Sequence, residues 1–214
     1  MKKYIALVLA LALCLSLCAC GGGNESPETT VSEEASMTKE EMLEQAMDVQ
    51  VYEIENVSHD NIARAKQDYC NKVLNLTGQI SKIAEDHIEL GIGLYVVDVY
   101  LPIDELITLQ THQQITVVGQ TTDTIEKDSN QKSHYQMPVA YFVTDRFEIR
   151  GVVQTAGIIL INPEGKQLDG IRTVFWAEGV DKSQYDWQEV KISAKCIYNT
   201  LTAKWEYYDA TIIE

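Results

Sequence analysis

The stretch Val73-Leu74-Asn75-Leu76-Thr77-Gly78-Gln79-Ile80 decides how this chain is read. Its apolar residues fall largely on alternate positions and a glycine sits inside it. It therefore predicts a β-strand that bulges or bends at Gly78, where a sheet curls. Downstream, Asp86 to Leu90 and Tyr95 to Leu101 predict a second and third strand, separated by Gly91 and Gly93 and stopped by Pro102. Ile103, Leu106, Ile107 and Leu109 predict a short helical turn. Gln114 to Gln120 and Tyr135 to Val143 then predict two more strands around a polar loop.

After Asp145 much of that order recurs. Phe147 to Gln154 is a strand carrying Gly151, Ile158 to Ile161 follows past Gly157, and Asn162-Pro163-Glu164-Gly165 is a turn. Arg172 to Ala177, Glu189 to Tyr198 and Trp205 to Ile213 supply three further strands. Five strands with a helical element between the third and fourth is the layout of an OB barrel. The chain is therefore expected to be mainly β, with two tandem small OB-like five-stranded barrels preceded by short helices. One elongated β-sandwich is the alternative. The first barrel falls in residues 38–145 and the second in 146–214.

Upstream of the strands, Thr38-Lys39-Glu40-Glu41 offers a capping box before Met42, Leu43, Ala46 and Met47. A second helix is expected from about Asp60 to Tyr69, with Asn71 at its stop. Residues 20–37 hold almost nothing to bury, so they read as a flexible tether. Before them, Lys2 and Lys3 precede an apolar run from Ile5 to Cys18, the pattern of an export signal in residues 1–19.

Two resemblances follow from these residues. Leu17-Cys18-Ala19-Cys20 resembles the lipobox of bacterial lipoproteins, which implies a lipid on Cys20 and a cell-membrane location facing the extracytoplasmic side. The run from Asn61 through Ala65, Tyr69 and Lys72, followed by Thr77-Gly78-Gln79-Ile80, resembles the tRNA-anticodon-binding-like OB domains found in bacterial lipoproteins. That likeness covers roughly residues 49–145, and it implies the fold rather than an activity.

Composition narrows the partners. The chain of 214 residues has a formal charge of −15, and loss of Lys2 and Lys3 with the signal makes it −17. A body that acidic repels phosphate backbones, so nucleic acid is not expected as a partner. The lipid on Cys20 must supply the membrane attachment. Of five cysteines, only Cys70 and Cys196 remain once the signal and the lipid site are set aside. Cys196 alternates in register with Val190, Ile192 and Ala194, which places it in a core.

No familiar catalytic or metal-binding signature occurs. His59, His87, His112 and His134 are far apart in sequence, so no metal or cofactor is expected. The carboxylates Glu85, Asp86, Glu89, Asp104 and Glu105 read as solvated turn residues. All three tryptophans, Trp176, Trp187 and Trp205, lie in the last quarter of the chain. In the final strand, alternation places Tyr208, Ala210 and Ile212 inward and Trp205 and Tyr207 outward. Trp176, Trp205 and Tyr207 are therefore the candidate ligand-binding residues. The expected task is non-enzymatic binding of a peptide, glycan or envelope protein. An envelope hydrolase using Asp86 and Glu89, or an accessory subunit of a transport or secretion system, is the alternative.

Overall fold

A computed structural model describes residues 37–168 and 170–213. Cys20, the export signal in 1–19 and all of the tether except Met37 lie outside the described residues. Thr38 caps α1 (Lys39–Gln45): its hydroxyl accepts from the Glu41 amide at 3.3 Å, and the Glu41 carboxylate accepts from the Thr38 amide at 2.8 Å. Strand β1 (Met47–Gln50) leads directly into α2 (Val51–Asp60), and Asn61 starts α3 (Ile62–Tyr69) by accepting from the Arg64 amide. Asn71 stands just past that helix at φ +54, the left-handed geometry that ends helices.

The first barrel is built from β2 (Val73–Ile83), β3 (His87–Leu90), β4 (Tyr95–Tyr100) and β5 (Gln114–Gln120), with the short helix α4 (Ile103–Leu106) between the last two. Its fifth strand comes in two pieces, β7 (Ser133–Met137) and β8 (Val139–Thr144), after the small strand β6 (Ile125–Lys127). Pro138 explains the break. Lacking an N–H, it cannot continue a ladder, and the strand changes partner there. Met137 pairs in parallel with Val99 of β4, whereas Val139 pairs with Gln120 of β5. Since β2 joins β3 on one side and β5 on the other, the pairing runs β2, β3, β4, β7/β8, β5 and back to β2.

The second half repeats this circuit. Strands β9 (Arg146–Gln154), β10 (Gly157–Leu160), β11 (Val174–Trp176), β12 (Glu189–Asn199) and β13 (Lys204–Ile212) include a 3-10 turn at Lys182–Tyr185 between the third and fourth. β9 pairs with β10 and β12, β12 with β13, and β13 in parallel with β11. Reciprocal backbone hydrogen bonds between Ile158 and Arg172, at 3.0 and 2.7 Å, close the ring. The chain is thus mainly β, with two OB-like five-stranded barrels preceded by short helices. No helix among the described residues is long and apolar enough to cross a membrane.

Each barrel has its own core. In β2, Leu74, Leu76 and Ile80 face inward and meet Ile88, Leu90, Val97, Val99, Ile115, Val117, Tyr135 and Met137. Helix α2, which the sequence pattern did not predict, covers one end. It buries Val51 and Ile54, and Ser58 shares a 2.6 Å hydrogen bond with the Tyr135 hydroxyl. The second core collects Val153, Ile158, Val190, Ile192, Ala194, Cys196, Tyr207 and Ala210. Cys70 and Cys196 are free thiols buried in separate cores.

Candidate functional site

The two barrels meet where the β12–β13 hairpin leans on the loop before β5. The Tyr198 amide donates to the His112 carbonyl at 3.0 Å, and Gln113 bridges to Ile197. Asp145, between β8 and β9, accepts from Gln113 at 3.1 Å and pairs with Lys195 at 2.8 Å. Trp205 stands opposite Tyr198 in the β12–β13 register, and their rings meet edge-on with centroids 5.5 Å apart. This arrangement brings Trp205 to the edge of the first barrel.

There it lines a half-open cleft of about 180 Å³. The cleft floor is Thr77, Gly78 and Gln79 of β2 with Gln114 of β5, and one wall is Gln50, Val51, Tyr52 and Glu55 from the start of α2. Gly91 and Ile92, from the turn between β3 and β4, form the other rim. Tyr52 is 59 % exposed and Ile92 73 % exposed, so the mouth carries apolar surface that solvent reaches. Glu55 lies against Gly93, where any side chain would collide with its carboxylate.

Of the residues proposed from sequence, Trp205 alone takes part in this cleft. Tyr207 does not: it is buried inside the second barrel, so its outward placement is corrected. The reason is a bulge in β13, where Asp209 and Ala210 stand against the single residue Ala194 of β12 and Asp209 adopts φ +51. That extra residue flips the alternation. Trp205 and Tyr207 share the inward phase before it, and Ala210 and Ile212 take that phase after it. Trp176 packs half-buried against the second core, as Trp205 does, but it does not line this cleft.

Sequence reasoning missed a second cluster, on the outer face of β3, β4 and β7. Glu89 stands directly opposite Asp98 in the ladder, and both are more than nine-tenths buried. Glu89 is therefore no solvated turn residue. Its two carboxylate oxygens meet Lys82 Nζ at 2.9 Å and Lys132 Nζ at 2.6 Å. Asp98 accepts from Gln136 at 2.9 Å and meets His134 Nδ1 at 2.9 Å. The loop before β7 supplies Lys132, and the Asp128 side chain shapes that loop by accepting from the Asn130 and Lys132 amides. Burial pushes the Glu89 carboxyl up, but the hydrogen bonds and charges of Lys132 and Lys82 outweigh it and hold the carboxyl below its ordinary value.

His87, Glu89 and Asp98 bring three potential metal-ligand atoms within 4.8 Å of one another. Two ammonium groups already balance Glu89, so a divalent cation entering there would meet positive charge on both carboxylate oxygens. The same pairing holds Glu89 ionised, which suits it poorly to donating a proton. Asp86, by contrast, is exposed and meets His87 Nδ1 at 2.7 Å. Because Lys132 is the less exposed of the two lysines, Lys132→Met should cost about 3 kcal/mol by leaving a buried carboxylate half-paired. Chemical denaturation checks this, and adding Glu89→Gln should restore part of the loss.

The chain matches no family model and no curated protein in comparisons with known sequences.

Proposed function

We propose that this chain is an extracytoplasmic lipoprotein, held to the membrane by a lipid on Cys20, whose two barrels act as a non-enzymatic binding module. On this proposal it is a relative of the tRNA-anticodon-binding-like OB domains, used outside the cytoplasm. Its ligand is a peptide, a glycan or a segment of an envelope protein, taken up at the junction of the barrels. The observation that carries this is the cleft itself: Trp205 and Tyr52 offer aromatic surface beside the amides of Gln50, Gln79 and Gln114. Apolar surface with a few fixed polar groups in a concave site is the usual chemistry of recognition.

Peptide and glycan arrays probed with the full chain in detergent test the proposal. Tyr52→Ala should weaken a retained ligand about tenfold or more with little change in Tm, because the side chain is largely exposed. Trp205→Ala should weaken it as well and also lower stability, since Trp205 packs against the second core. Retention that neither substitution alters would place the ligand elsewhere, and turnover without retention would overturn the proposal.

A further inference from the structure

The geometry points to a basic side chain as the group this cleft receives: one arginine or lysine of a partner polypeptide, its charge on Glu55 and its stem against Tyr52, Ile92 and Trp205. This rests on the binding role proposed above and narrows its ligand. Among the described residues, Glu55 is the single charged one in the cleft lining, with no lysine, arginine or histidine beside it. Among the described residues nothing forms an ion pair with Glu55, in contrast to Glu89, Glu148 and Glu189, each held by a cation. Glu55 is also partly withdrawn from solvent against the turn at Gly93, so a cation reaching it would be less screened than at an open surface.

The remaining groups complement the same ligand. A guanidinium or ammonium group is donor-only, and the lining residues Gln79 and Gln114 each carry one side-chain acceptor oxygen, with the Gln79 amide nitrogen turned to His112 at 3.2 Å. Tyr52 and Trp205 provide aromatic faces, which attract cations and pack against aliphatic stems. A space of about 180 Å³ is below the size of ordinary small-molecule pockets, and it suits one side chain rather than a chain of sugar rings. The net charge of −15 adds a long-range field that draws basic segments toward the surface.

The test titrates the full chain in detergent with blocked pentapeptides carrying arginine, lysine, citrulline or glutamate at the centre, and with a short amino-sugar oligomer. Binding is read by fluorescence anisotropy. The arginine peptide should bind, and its neutral citrulline twin should bind about tenfold more weakly. Glu55→Gln should remove that difference while leaving Tm unchanged; the lysine peptide should bind and the glutamate peptide should not, and added salt should weaken the arginine and lysine peptides but not the citrulline one. Equal binding of the arginine and citrulline peptides, or a difference that survives Glu55→Gln, overturns the cation inference. If Tyr52→Ala still weakens those peptides, the cleft remains the binding site. No peptide binding, or binding of the amino sugar alone, overturns the assignment to a basic polypeptide.

Discussion

Gly78→Val is expected to destabilise the first barrel by about 3 kcal/mol and to lower Tm by roughly 10 °C. Gly78 lies on the inward face of β2 between Leu76 and Ile80, at the point where β1 ends and the chain turns straight into α2. A Cβ there would lie 3.1 Å from Val51 Cβ and 3.4 Å from Leu90 Cβ, and still nearer to a Val51 methyl. Neither neighbour can yield, since Val51 is 4 % exposed and Leu90 fully buried. The strain would lift α2 from the barrel end and disturb the Ser58–Tyr135 hydrogen bond. Pairing Gly78→Ala with Val51→Ala separates this steric clash from a general intolerance of β2. The double variant should be more stable than the sum of the single losses predicts. A Gly78→Val protein that melts with the wild type would show that α2 does not press on the strand.

That glycine also marks how far the sequence could be read. Alternation and breakers located the strands because a half-buried strand must repeat every two residues, and Gln114–Gln120 matches the observed β5. The Thr38 box worked for a similar reason, being a local pattern with one geometry. Helix α2 escaped because its buried positions are only Val51, Ile54 and Ser58, too few apolar residues to show a period.

The candidate site was less legible because it depends on register. Tyr207 was assigned outward by counting in twos, and a single extra residue at the Asp209 bulge reverses that count. Glu89 looked like a turn residue because its burial depends on Lys82, Lys132 and the loop before β7, 7 and 43 residues away in sequence from the two lysines. Trp205 was reached by the same count in twos, and its outward placement fails with that of Tyr207, since both share the inward phase of β13. What makes it a cleft residue is the packing of the β12–β13 hairpin on His112 and Gln113, which no local pattern encodes. Glu55 had no sequence signal, because the helix that carries it was not predicted.

The inward placement of Tyr207 leads to the other large effect, a collapse of stability in alkali. Burial pushes the Tyr207 phenol up to about 12, and does the same to Tyr135 despite the hydrogen bond it shares with Ser58. The Cys196 thiol, buried beside Tyr207 in the same core, is also pushed up to about 12. In the unfolded chain these groups ionise at their ordinary values, 9.0 for the thiol and 10.0 for the phenols. Between roughly pH 9 and 12 the unfolded state therefore binds fewer protons than the folded state, and stability falls as pH rises. The contribution is complete below that window and is lost as pH climbs to the folded values. At about pH 11 the combined loss is on the order of 5 kcal/mol, comparable to the whole stability of many domains. Urea unfolding across that range measures it. Tyr207→Phe removes one ionisable group and keeps the ring, so it should flatten the alkaline slope while changing stability little near neutrality. A slope unchanged by Tyr207→Phe would mean that the phenol ionises equally in both states, which a side chain enclosed by the second barrel cannot do.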